Sequence, residues 1–261
     1  MRRAALALAV AAGLAACGGG EETPERPAPF AVEGEVGVSA RTSPATQATP
    51  TARTRTAAPA AEPEGRWLTA RLVRPAQLRA APGGRVIARL GRKTEFGSQR
   101  VVGVIARRAG WLKVLAPERK DDRPGWIPAA NARLGATDVS LVVDRSERRL
   151  SLRDGGRTVR SLPIAVGKPG AETPLGRFAV TDKLRPTDAA SPYGCCILAL
   201  SGHQRAELPG WGGGDRLAVH GTPHPETIGE AASLGCMRAD KRELERLLRA
   251  VPVGAPVFIR G

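Results

Sequence analysis

From Trp67 onward the apolar residues come in runs of a few positions, broken by Gly, Pro and charged residues. Val101-Val102-Gly103-Val104-Ile105, Trp111-Leu112-Lys113-Val114-Leu115 and Leu217-Ala218-Val219 are examples. Runs of that length between turn residues are strand signals, and their density predicts a mainly β chain. With 261 residues there is room for two modest domains and a tail.

Residues 18–65 break the pattern. They are Pro, Thr, Ala, Glu and Arg with almost nothing large and apolar. Such a segment cannot bury enough surface to offset its ordering, and a disordered linker is expected. Fully extended at about 3.3 Å per residue it reaches roughly 150 Å, and as a coil its ends lie roughly 40 Å apart. Ahead of it, Arg2 and Arg3 precede the uncharged apolar stretch from Ala4 to Ala16. That stretch is shorter than the roughly 20 residues of a spanning helix and has the layout of a signal peptide. Leu14-Ala15-Ala16-Cys17 resembles the lipobox of bacterial lipoproteins. The resemblance implies a signal peptide over 1–17, lipidation of Cys17, and an exported, membrane-anchored lipoprotein facing the periplasm or cell wall.

Residues 66–135 form the first folded segment. Strands are expected at Leu72-Val73, Arg85 to Ala88, Val101 to Ile105, Trp111 to Leu115 and Gly125 to Ile127. Leu78-Arg79-Ala80-Ala81-Pro82-Gly83, Gly110-Trp111-Leu112-Lys113-Val114 and Gly125-Trp126-Ile127 resemble motifs of bacterial SH3-like domains. The resemblance implies a small β-barrel that binds cell-wall glycan or acts as a spacer.

Residues 138–261 form the second. Val139 to Asp144 and Glu147 to Leu152 read as strands, and Asp154-Gly155-Gly156 reads as the turn of a hairpin. The next strand runs into Ile164-Ala165-Val166-Gly167. Others are expected at Gly176 to Thr181, Cys196 to Leu200, Arg216 to His220 and Pro256 to Ile259. One helix is clear. Asp240 caps it, Glu243 completes a capping box, and Leu244, Leu247, Leu248 and Val251 make one apolar face before Pro252 and Gly254.

The chain has four cysteines. Setting Cys17 aside leaves Cys195, Cys196 and Cys236, an odd set in an exported chain, so at least one thiol is unpaired. Cys195 and Cys196 are expected in the strand after Tyr193, packing as small hydrophobes, and the sequence leaves their redox state open. Cys236 lies in Ser233-Leu234-Gly235-Cys236-Met237-Arg238, a Gly-containing turn just before the helix. A thiol with a pKa near 8.5 is mostly protonated at neutral pH and needs a base or a positive neighbour. Of the three histidines, His220 ends an apolar strand and meets Gly221, whereas His203 and His224 are placed in loops. Cys with His, and a third group to orient the imidazole, is the logic of nucleophilic acyl transfer. A lone Cys and His are also common as structural residues, so spacing alone leaves both readings open.

The domain resembles YkuD-type L,D-transpeptidase catalytic domains. The resemblance rests on His220-Gly221-Thr222, on Ser233, Gly235, Cys236, Met237 and Arg238, and on Val166-Gly167-Lys168-Pro169. It also rests on Thr173-Pro174-Leu175-Gly176-Arg177-Phe178, Leu200-Ser201-Gly202 and Val251 to Val257. It implies a β-sandwich-like catalytic domain in which Cys236 is the nucleophile and His220 the base. The Gly221 carbonyl would orient the imidazole, and the amides of Gly235 and Cys236 would line the oxyanion hole. Arg238, Ser233, Tyr193 and Thr222 would bind substrate. The family usually has His where this chain has Leu234, which removes the main rival to His220 as base. The implied activity is 3→3 cross-linking of peptidoglycan stem peptides through a cysteine thioester, with donor and acceptor stems as partners. The alternatives are an L,D-carboxypeptidase, an enzyme attaching protein to the wall, or an inactive wall-binding lipoprotein.

The formal net charge of +15 favours anionic partners. No Lys/Arg run is interleaved with aromatics and no zinc-finger spacing occurs, so nucleic acid is not expected. No cofactor is expected, and no metal, since no ligand cluster has suitable spacing.

Overall fold

The computed structural model describes residues 65–188, 190–205 and 214–261. The signal peptide, Cys17 and the linker up to residue 64 lie outside the described residues.

The first folded segment holds seven strands: β1 (Trp67–Leu72), β2 (Ala76–Arg79), β3 (Val86–Leu90), β4 (Val101–Arg108), β5 (Trp111–Leu115), β6 (Gly125–Pro128) and β7 (Ala132–Thr137). They form one antiparallel sheet in the order β3-β2-β6-β5-β4-β1-β7. Alternation decides which side chains enter its core. In β5, Leu112 and Val114 are buried while Trp111 and Lys113 are half-exposed, as a period of two requires. Leu72, Leu78, Leu90, Val102, Val104 and Ile127 complete that core. Neither β2 nor β7 was expected from the sequence, since each carries few large apolar residues and follows a Pro or a short helical turn.

The second segment is built on an eight-stranded mixed sheet. Its strands are β8 (Val139–Asp144), β9 (Arg149–Asp154), β10 (Arg157–Pro163), β12 (Gly176–Leu184), β13 (Ile197–His203), β14 (Arg216–His220), β16 (Met237–Arg238) and β17 (Pro256–Arg260). Their order is β10-β9-β8-β17-β12-β13-β14-β16. A parallel pair, β11 (Val166–Gly167) and β15 (Ala231–Ser233), stands apart. The β9–β10 turn has Gly155 and Gly156 at φ +55° and +80°, the two left-handed residues that the sequence signal requires.

The helix α1 (Lys241–Ala250) follows β16. Asp240 accepts from the amides of Arg242 and Glu243, as a cap should. Glu243 does not close the expected capping box. Its carboxylate is taken by Arg160 from β10 and by Arg246 one turn on, because two guanidiniums outcompete one backbone amide for it. Leu244, Leu247 and Val251 are fully buried and Leu248 nearly so, each contributing about 2 kcal/mol of apolar burial. They join Val219 and Met237 in one buried core, and the helix packs against β13.

Both sheets belong to one compact unit. Thr94 donates to the fully buried Asp182 at 2.5 Å, and Lys120 pairs with Asp215. His203, expected in a loop, is instead the buried last residue of β13, with Nδ1 2.9 Å from an Asp122 carboxylate oxygen. The strand runs three residues beyond its apolar stretch because the other domain covers its end.

Candidate active site

Strand pairing assembles the site. The parallel strands β14 and β16 lie side by side, with Val219 opposite Met237 and His220 opposite Arg238. Cys236 immediately precedes β16, so the thiol is carried to the flank of the strand that ends in His220. Gly235 sits at φ +123°, a conformation that disfavours any other residue, and turns the chain from β15 into β16.

A cavity of about 130 Å³ opens here, lined by His220, Cys236, Arg238, Tyr193, Pro192, Gln204, Ser233 and Leu234. A larger one, about 530 Å³ at Arg145, Glu172 and Arg205, holds no nucleophile, so the chemistry belongs to the smaller. Cys236 and His220 are 6% and 5% exposed. The Tyr193 ring meets the imidazole edge-on, centroids 5.1 Å apart.

The His220 Nδ1 is 2.5 Å from the Gly221 carbonyl oxygen. A carbonyl only accepts, so Nδ1 carries the proton and Nε2 is left with its lone pair. Burial drives the His220 pKa down to about 4; the Gly221 bond opposes this and the Arg238 charge adds to it. Burial also pushes the Cys236 thiol up to about 11, against the Ala218 backbone hydrogen bond and the Arg238 charge. Both groups are therefore neutral at pH 7. The thiol is directed at the Arg216 carbonyl, 3.6 Å away, rather than at His220.

Arg238 is half-buried, and its guanidinium makes no ion pair among the described residues. Burial raises the Tyr193 pKa, with a smaller contribution from Cys236.

Three residues expected to meet substrate or oxyanion have other hydrogen-bond partners. The Gly235 amide is not open to an oxyanion, because it donates to Ser233 Oγ at 3.1 Å. Ser233 is 1% exposed, and its hydroxyl also donates to the Cys236 carbonyl, bracing the turn. Thr222 accepts from the His224 amide at 3.0 Å and is absent from the cavity wall. Cys195 and Cys196, whose redox state the sequence leaves open, are joined to each other as a vicinal disulfide, leaving Cys236 as the free thiol among the described residues. The pair lies against the site: the Gly221 amide donates to the Cys196 carbonyl at 3.1 Å. His224 is exposed in its loop, beside Glu226.

Two residues carried no role in the sequence reading. Gln204 lines the cavity and approaches Gly235, with no motif to mark it. Thr173 was noted only as part of a motif, yet its hydroxyl reaches the Gly235 carbonyl. Among the described residues no group of three His, Cys, Asp or Glu could hold a metal, and no helix is long and apolar enough to cross a membrane.

Residues 138–259 match the YkuD family, the L,D-transpeptidase catalytic domain. The match spans the second sheet, α1 and every residue of the cavity. YkuD of Bacillus licheniformis is 34% identical over 119 residues, and YkuD of Bacillus subtilis strain 168 is 31% identical. Each alignment covers 46% of this chain and 64% of the relative. Among solved structures, an L,D-transpeptidase from Mycobacterium smegmatis is 17% identical, covering 62% of this chain and 91% of that one at a TM-score of 0.39. Residues 138–259 are thus similar in sequence to the YkuD L,D-transpeptidase catalytic domain, and the chain spans less than two thirds of the length of these curated relatives.

Proposed function

We propose that the protein is a peptidoglycan L,D-transpeptidase that forms 3→3 cross-links through a thioester on Cys236. The observation that carries this is the β14–β16 register. With that pairing a buried, neutral thiol and a buried, neutral imidazole, whose Nδ1 is taken by the Gly221 carbonyl, line one cavity.

A preformed thiolate–imidazolium pair is disfavoured with the thiol near 11 and the imidazole near 4. The proton therefore moves as the bond forms. The thiol swings from the Arg216 carbonyl to His220 Nε2, and Sγ attacks the carbonyl between the third stem residue and the terminal D-Ala. His220 takes the thiol proton. The Cys236 amide, in the same turn, faces the oxyanion. Collapse of the intermediate breaks the C–N bond, and His220 returns its proton to the departing D-Ala. An amine of a second stem then attacks the thioester and loses its proton to His220, and the thiol leaves protonated. Leu234, Pro192 and Tyr193 narrow the cavity, which favours the amine over water. The unpaired Arg238 guanidinium suits a stem carboxylate.

In the same reading, Cys17 anchors the chain by its acyl groups, the 18–65 linker gives reach, and the N-terminal sheet contacts wall glycan. Product analysis with purified disaccharide-tetrapeptides tests the activity. Cross-linked dimers with release of D-Ala are expected. Tripeptide alone would make the protein an L,D-carboxypeptidase, and unchanged substrate would make it a binding protein.

A further inference from the structure

Thr173 lies far from Cys236 in sequence, in the loop between β11 and β12, and is completely buried. Its hydroxyl makes two buried bonds, accepting from the Gly167 amide at 2.9 Å and donating to the Gly235 carbonyl at 2.8 Å. The hydroxyl has one proton, and Gly235 receives it. The Thr173 carbonyl is itself held by Arg145 at 3.1 Å. There is no slack behind it either. A Cβ on Gly167 would stand 2.2 Å from the Ala171 carbonyl oxygen and 2.5 Å from the Thr173 nitrogen. β11 and this loop therefore touch backbone to backbone. The Lys168 amide continues the connection to the Ser233 carbonyl at 2.9 Å. Thr173 is thus fixed to the strand pair that flanks the nucleophile turn.

In a trans peptide the carbonyl and the following N–H point in opposite directions. Holding the Gly235 carbonyl on Thr173 therefore holds the Cys236 N–H on the far side. This restraint matters because Gly235 has no side chain to limit rotation of that peptide. The Gly235 amide is already spent on Ser233, and the direction of the Cys236 amide depends on the Thr173 bond.

We propose that Thr173 is a positioning residue that aims the Cys236 amide at the oxyanion formed during acyl transfer. The proposal rests on the acyl-transfer reading above. As the S–C bond forms, the carbonyl π pair moves onto oxygen and the thiol proton moves to His220. The Cys236 N–H receives the oxygen's new charge. Thr173 touches none of these atoms. It fixes a donor that does.

The test uses the full chain and two reagents. A carbapenem acylates through an oxyanion, whereas iodoacetamide alkylates a thiolate without one. Thr173→Val keeps the shape and removes the donor; Thr173→Ser keeps the donor. Thr173→Val is expected to slow the saturating acylation rate about 10- to 100-fold, with half-saturation and alkylation changed by less than about twofold. Thr173→Ser restores acylation to within about threefold of wild type. Equal acylation by Thr173→Val overturns the proposal. So does a parallel fall in acylation and alkylation, or a failure of Ser to rescue. If the Val variant does not fold, Thr173→Ala is read by the same outcomes, with thermal unfolding run on each variant. A wild-type protein that is not acylated at all overturns the acyl-transfer reading itself, and is told apart by that control.

Discussion

His220 and Arg238 stand opposite each other on adjacent parallel strands, one residue beyond the Val219–Met237 pair. The register places a permanent cation beside both the base and the nucleophile. Arg238 disfavours imidazolium and favours thiolate, so it lowers both pKa values. In each case burial is the larger influence, and the two burial effects have opposite directions.

Removing the cation should therefore move both groups upward. Arg238→Met is expected to raise the Cys236 and His220 pKa values together and to slow carbapenem acylation by at least about tenfold. Alkylation rate against pH reads the thiol, and the imidazole NMR shift of His220 reads the base. Opposite movements of the two groups would contradict this assignment.

The raised thiol pKa makes a second prediction. With a value near 11 rather than the ordinary 9, the thiolate fraction at pH 7 falls about 100-fold. Iodoacetamide should react with Cys236 correspondingly slowly, and the rate should climb tenfold per pH unit to beyond pH 10. A plateau below pH 8 would mean that the thiolate is already formed in the resting protein.

His220 also links stability to pH. Its folded value, about 4, lies below the ordinary 6.5, so the unfolded chain binds the extra proton between those values. The stability tied to the neutral imidazole is complete above pH 6.5 and is lost as pH falls toward 4, by about 3 kcal/mol at most. Urea unfolding at pH 7 and pH 4.5 should show a smaller loss in His220→Gln than in wild type. Equal losses would remove His220 from the account of acid sensitivity.

At the helix behind the site, Asp240 satisfies the amides of Arg242 and Glu243. Asp240→Ala should cost about 1 kcal/mol, lowering Tm by about 2–4 °C, with little effect on alkylation of Cys236.

Periodicity and capping made part of this structure legible in the sequence. β14 was readable to the residue because Leu217, Ala218 and Val219 lie between charged and Gly-bounded ends, and α1 because four apolar residues repeat at helical spacing behind Asp240. The short strands β15 and β16 were not, since two or three residues have no period, and they form only by pairing with β11 and β14. His203 looked like a loop residue because its burial comes from the other domain. The Gly235 amide looked available because nothing in the sequence reveals that Ser233 curls back to take it. Gln204 gave no signal at all. Local rules set the frame of the site, while its hydrogen-bond partners were decided by contacts between segments far apart in sequence.

The central claim is that Cys236 is a nucleophile served by His220. Intact-mass measurement of the reduced, folded protein after incubation with a carbapenem tests it most directly. One covalent adduct is expected on wild type, mapping to Cys236, absent in Cys236→Ala, and formed at least about 100-fold more slowly in His220→Gln. No adduct on wild type, or full-rate acylation without His220, would contradict it.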